Sequence, residues 1–162
     1  MRLLGIVIIL LLNSTGLLAQ DRIIDSLQNE LNTTQNSLQR VKLYNAISEQ
    51  FKYSDPNKML EFAIKALELS KEEQLKIEMG HAYLNIGTAH IILGDYQKAM
   101  DHFVWGKSLF EDLPKSPQTS ADIAKGLART YGSMGIVFSE QSNYAKALQY
   151  YLKAAKAYEM LD

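Results

Sequence analysis

Residues 94–103 read GDYQKAMDHF and residues 142–151 read SNYAKALQYY, nearly the same phrase written twice, 48 positions apart. In each copy a turn pair leads into a Tyr, then Lys-Ala, then a large apolar residue, then an aromatic four positions after the Ala. These are Tyr96, Lys98, Ala99, Met100 and Phe103 in one copy, and Tyr144, Lys146, Ala147, Leu148 and Tyr151 in the other. A chain that repeats itself at such a period is built from stacked supersecondary units, because one unit alone cannot bury its own apolar face.

The spacing between the phrases is helical throughout. Ile23, Ile24, Leu27 and Leu31 form a short stripe, and Leu38, Val41, Tyr44, Ile47 and Phe51 form a second. Ser54-Asp55-Pro56 ends that stripe with a capping residue and a proline suited to a first helical turn. Further stripes run through Met59, Ala63, Ala66 and Leu67, then through Leu75, Met79, Ala82, Tyr83, Ile86 and His90 up to Gly94. One loop is plain, Pro114-Lys115-Ser116-Pro117-Gln118, and beyond it a stripe follows Leu127, Tyr131, Met134 and Phe138. No segment alternates as a strand would, so the fold class is all-α, a string of antiparallel helix pairs. Three Pro and nine Gly in 162 residues leave room for long helices.

Tyr83, Ile86, Gly87, Gly94, Tyr96, Ala99 and Phe103 stand at the spacing of the tetratricopeptide repeat signature, and Tyr131, Met134, Gly135, Tyr144, Ala147, Tyr151 and Ala154 meet it again. Tyr44, Ile47, Ser48 and Phe51, with Ala66-Leu67, form a weaker copy. The chain therefore resembles the tetratricopeptide repeat family, and the resemblance implies a right-handed superhelical solenoid of about three repeats. Its division would be a leader over 1–19, a lead helix and loop over 20–35, and an array over 36–162 with repeats at 36–73, 74–113 and 119–162. The copies lie 39 and 48 residues apart, longer than the family's period of about 34, which leaves the pitch open. In this pattern Gly87 and Gly135 admit the second helix, and Ala99 and Ala147 are the small residues at the crossing. Phe103 and Tyr151 would fill the space between repeats.

The resemblance also nominates a concave face made by the first helix of each pair, which would receive a protein or peptide. Its positions are His81, Leu84, Thr88, Ile91 and Ile92 in the second repeat, and Arg129, Gly132, Ile136, Ser139 and Glu140 in the third. In the first they are Lys42, Asn45, Glu49, Lys52 and Tyr53. Leu84, Ile91 and Ile92 admit a second reading, as residues buried beneath neighbouring helices. A carboxylate clamp of the kind some members carry is not implied, since Glu49 stands where an Asn is expected and Ser133 where an Arg is expected.

Chemistry is scarce. The chain has no Cys, which removes disulfides, thiolate metal sites and cysteine nucleophiles. Glu78-Met79-Gly80-His81 has the E-x-x-H spacing of di-iron bundles, but no second such pair exists, so neither metal nor other cofactor is expected. His81 and His90 lie out of phase on one helix, and His90 reads as a packed histidine. Asp101 and His102 read as surface groups, and Trp105 as packing within or between repeats. No phosphate loop or nucleophile motif is present, so no enzymatic activity is expected. With 17 basic and 18 acidic residues there is no electrostatic reason to expect nucleic acid.

Location is written at the start. Arg2, the apolar run Leu3–Leu12, then Asn13-Ser14-Thr15 and Ala19 describe a secretory signal peptide cut after Ala19. A membrane-spanning anchor would need roughly 20 apolar residues, about twice this run. The expected protein is exported, to a periplasm or the cell exterior. It would touch the membrane only through an uncleaved leader or a missing downstream segment. The last helix offers Tyr151, Ala155 and Tyr158 with nothing following to cover them, which points to self-association or to continuation of the chain. Two functional readings follow: an exported, non-enzymatic interaction scaffold, or the extracytoplasmic sensor region of a signalling protein whose kinase, cyclase or regulator output lies further on.

Overall fold

The computed structural model describes residues 20–161; the expected leader, 1–19, lies outside the described residues. The described chain is helical from end to end, with no strand. Helix α1 spans residues 20–33 and α2 Ser37–Gln50. They are followed by α3 Pro56–Glu72, α4 Lys76–Ile92, α5 Tyr96–Asp112, α6 Ser120–Glu140 and α7 Tyr144–Tyr158, which ends in a 3-10 turn, Glu159–Leu161.

Local sequence explains most of the boundaries. Asp55 accepts hydrogen bonds from the Asn57 and Lys58 amides, with Pro56 at the first helical position. Asn36, Asp95 and Asn143 each accept one from the amide three residues on. Three helices end in the same way, on a residue of left-handed backbone: Gln74, Gly94 and Ser142, with φ of 56°, 80° and 59°. After each, the next amide reaches back to a carbonyl of the last helical turn, as in Asp95 N–H to His90 O (2.9 Å) and Asn143 N–H to Phe138 O (2.8 Å).

Each helix packs against the next in sequence, and α2, α4 and α6 also touch in series, so the pairs α2/α3, α4/α5 and α6/α7 stack side by side. Three apolar clusters mark the joints. Leu31, Leu43 and Ile47 join α1 to α2, with Phe51 and Phe62 at their edge. Val41, Ala63, Ala66, Leu67, Ala82 and Ile86 join α2, α3 and α4. Leu84, Ala99, Phe103, Met134 and Val137 join α4, α5 and α6. No single centre gathers all the helices, and the fold is a tetratricopeptide-like helical solenoid.

The glycines sit where helices meet. A methyl on Gly87 would lie 2.4 Å from the Phe103 ring, and one on Gly135 2.5 Å from the Tyr151 ring. Ala99 and Ala147 are buried on the same faces. Tyr83, Tyr96 and Tyr131 are partly buried at the joints, whereas Tyr144 is exposed. A further joint was not anticipated: the Phe110 ring, wholly buried, lies between Gly80 of α4 and Gly126 of α6, where added methyls would fall 2.6 and 2.4 Å from it. A phenyl ring thus bridges two repeats through a pair of missing side chains.

Candidate functional site

The exposed sides of α2, α4 and α6 form a cleft of about 260 Å³ lined by Lys42, Asn45, Glu49, Glu78, His81, Asp122, Lys125 and Arg129, among others. A second hollow of about 260 Å³ adjoins it, with Lys52, Thr88, Gly132, Ser133, Ile136 and Tyr158 among its walls. Buried amides tie the helices beneath. Asn45 Nδ2 donates to Glu78 O (3.1 Å), and Asn85 Nδ2 donates to Asn45 O (3.2 Å) and Oδ1 (3.3 Å).

Across the top runs an ion pair between residues 80 apart. Arg129 Nη2 donates to Glu49 Oε1 at 2.6 Å, joining the first and third first-helices over the middle one. Lys42 approaches Glu78 at a looser 3.9 Å. Burial pushes the Glu78 carboxyl above its usual range, partly offset by a backbone hydrogen bond and by Lys42. Burial, with the Arg129 charge added, pushes His81 down to about 4, so it is a neutral imidazole at pH 7. Its Nδ1 has no hydrogen-bond partner among the described residues, and its ring packs edge-on to Phe110. Glu78 and His81 are therefore parts of the cleft wall. The arrangement is a polar trough with charges of both signs around a mostly buried floor.

Several sequence expectations are corrected here. Leu84 is 1% exposed, packed among Ala99, Phe103, Met134 and Val137, so it cannot anchor a partner. Its helix position does face the trough, but α6 comes close enough to cover it. Ile91 is partly buried on the same cluster, and the exposed Ile92 lines none of the clefts described. Of the nominated residues, the structure brings Lys42, Asn45, Glu49, Lys52, His81, Thr88, Arg129, Gly132 and Ile136 to the trough walls, with Leu84 in the floor.

Trp105 packs within its repeat, its ring against Tyr83 (5.6 Å between centroids) and His102 (5.0 Å), while staying 51% exposed. His102 is not a surface group, being half-buried and stacked on His90 with ring centroids 5.5 Å apart. Both imidazoles are lowered from the usual histidine value, chiefly by burial. Sequence reading also missed the Glu49–Arg129 bridge, for which no local pattern exists.

No family model matches the chain. Over 94 residues it is 31% identical to the response regulator aspartate phosphatase I of Bacillus subtilis (strain 168), a match covering 58% of this chain and 22% of that protein. The chain thus spans about a fifth of that relative's length. The crystal structure of BtubC (BKLC) from P. vanneervenii superposes with a TM-score of 0.54 at 13% identity, over 87% of this chain and 74% of that one. That of MamA gives 0.46 at 18% identity, over 91% and 92%. The likeness to BtubC shows the fold, a tetratricopeptide-like solenoid.

Proposed function

We propose that this protein is a non-enzymatic interaction scaffold whose trough across α2, α4 and α6 holds a segment of a partner protein. The observation that carries the reading is the trough itself: Lys42 and Glu49 of α2, Glu78 and His81 of α4, and Asp122, Lys125 and Arg129 of α6 converge on one concavity. Charges of both signs at its rim would set the register of a bound segment, while Ile136 and Ile77 offer apolar contact. Arg129 and Glu49 satisfy each other in the unbound protein, so a partner carboxylate or guanidinium must replace one of them to bind at the centre. Partner capture by the wild type, compared with Lys42→Glu/Lys125→Glu, tests this. A partner held by the first and lost by the second, with circular dichroism unchanged, supports the trough; identical capture by both removes it.

The protein is exported in this reading, on the strength of Arg2, the apolar run Leu3–Leu12 and the small residue Ala19. N-terminal sequencing of the protein recovered from cells checks it: a start at Gln20 is expected, and an intact Met1 would refute cleavage.

A second reading makes the chain the sensing or regulatory region of a signalling protein. Its support is the 31% identity to response regulator aspartate phosphatase I, a protein of response-regulator signalling by its name. A coding frame running past Asp162 into an output domain is the expected observation; a stop codon there removes the reading.

A further inference from the structure

One contact recurs in all three helix pairs, with a change of chemistry in the middle one. Toward the turn that joins each pair, a ring from the end of the first helix stacks on a ring of the second. In the first pair these are Phe51 and Phe62, with centroids 5.8 Å apart and planes 12° from parallel. In the third they are Phe138 and Tyr150, 5.2 Å apart at 25°. In the second the equivalent positions hold His90 and His102, 5.5 Å apart at 9°. A tyrosine of the first helix attends each stack: Tyr44 on Phe62, Tyr83 on His102 and Tyr131 on Tyr150. Stacked rings close every pair, and of the three stacks only the middle one takes up protons near neutral pH.

The surroundings change with the rings. Lys58 and Lys65 lie over Phe51 and Phe62, and Lys146 and Lys153 over Phe138 and Tyr150, at 4.9 to 5.2 Å from the ring centres. A cation there suits an aromatic face but opposes a charge on an imidazole. In the middle pair Lys98, the counterpart of Lys58 and Lys146, bonds Asp95 at 2.9 Å. Trp105 stands where the other pairs have Lys65 and Lys153, its ring at right angles to His102. The stack that titrates has exchanged one cation for a neutral ring and has the other tied to a carboxylate.

We propose that His90 and His102 form a pH-sensitive clasp: neutral, they stack and close α4 on α5; both protonated, they part and loosen the middle pair. Burial keeps both imidazoles below the ordinary histidine range, and at His102 the His90 charge adds to this. Asp95 favours a proton on His90 and Lys98 opposes it; at His102 Asp101 favours it and Lys71 of α3 opposes it. Both carboxylates are already engaged, Asp95 by Lys98 and Asp101 by Gln97 Nε2 at 3.0 Å, and Tyr83 and Trp105 bring no charge. His102 Nδ1 is buried without a hydrogen-bond partner among the described residues, so a proton there meets no acceptor. The folded chain therefore binds fewer protons here than the unfolded one. The clasp holds fully above about pH 6.5 and weakens as pH falls below it. Helix α4 touches both α2 and α6, so loosening it reaches the neighbouring pairs. None of these residues lines the trough or its adjoining hollow, and the proposal stands apart from the trough.

The chain has three histidines, so NMR follows each imidazole separately as pH is lowered from about 7.5 to about 4.5. His90 and His102 should titrate in two separated steps, and His90→Gln should leave His102 with a single step at higher pH. Amide hydrogen exchange, corrected for its intrinsic rate, reads the joint itself. It is run in a His81→Gln background, so that the third imidazole adds nothing. Exchange in α4 and α5 should quicken at least about tenfold at the acid end. His90→Phe/His102→Tyr, which copies the third pair, should cancel that acceleration. His102→Tyr alone should cancel it too, and takes the place of the double variant if that one misfolds. A His102 titration unmoved by His90→Gln overturns the clasp, as does exchange that quickens equally with and without the imidazoles.

Discussion

Gly87→Ala and Gly135→Ala put the same methyl into equivalent contacts, yet their costs should differ. At Gly87 the new carbon falls 2.4 Å from Phe103 Cε1 and at Gly135 2.5 Å from Tyr151 Cε1, both far inside van der Waals distance. What differs is the freedom of the struck ring. Phe103 is 0% exposed, walled in by Leu84, Ala99, Met134 and Val137, so relief requires moving α5 against α4 and α6. Tyr151 is 41% exposed and its ring can swing outward. Overpacking a closed core costs about 1–3 kcal/mol. Replacing a mid-helix glycine by alanine returns about 1 kcal/mol at either site. Gly87→Ala should therefore lose up to about 2 kcal/mol, or up to about 8 °C in Tm for a chain of this size. Gly135→Ala should fall within about 0.5 kcal/mol of wild type, through the same alanine gain set against a small displacement. Urea denaturation followed at 222 nm on both variants measures the gap directly. Equal losses, or a larger loss at Gly135, would refute the idea that ring freedom decides the cost.

Phe110→Ala should be the most damaging single truncation, about 3–5 kcal/mol, because it empties the space its ring fills between Gly80 and Gly126; calorimetry would record it. Ser142→Gly should raise stability by about 1 kcal/mol, since φ is 59° there and the equivalent Gly94 already has the permissive residue; a lowered urea midpoint would contradict this. His81 should make stability fall with acid. Its folded value of about 4 lies below the usual 6.5, so the unfolded chain takes up a proton that the folded chain refuses. Its contribution is complete above about pH 6.5, declines as pH drops toward 4 and then levels, on the order of 3 kcal/mol in all. Arg129, Lys125, Glu49 and Asp122 face the same imidazole, and the first two deepen the effect while the carboxylates moderate it. Midpoints at pH 7 and pH 4.5 for wild type and His81→Gln check it, the variant being the flatter of the two.

The repeated phrase made the architecture legible because it encodes contacts local to one helix pair. Gly87 with Phe103, and Gly135 with Tyr151, lie 16 residues apart in sequence, and the turn between the helices fixes how they meet. Asp55-Pro56 and Asn143 likewise marked their helix starts through bonds only two or three residues long. Leu84 was ambiguous for the opposite reason: its helical position faces the trough, and only the closeness of α6 makes it core. His102 departs from the surface place expected of it because Tyr83 and His90 of α4 and Trp105 of its own helix pack around its ring, which no local pattern announces.

What the amino-acid order determined alone was the helical period, the turns and the small-against-large contacts inside each pair, all set by sterics and hydrogen bonds over a few residues. What only the tertiary structure decided was how one pair lies on the next. That placed Phe110 between two glycines and closed Glu49 onto Arg129 across 80 residues. Those outcomes depend on the angle and offset between stacked pairs, which accumulate from many weak contacts and leave no short pattern in the chain.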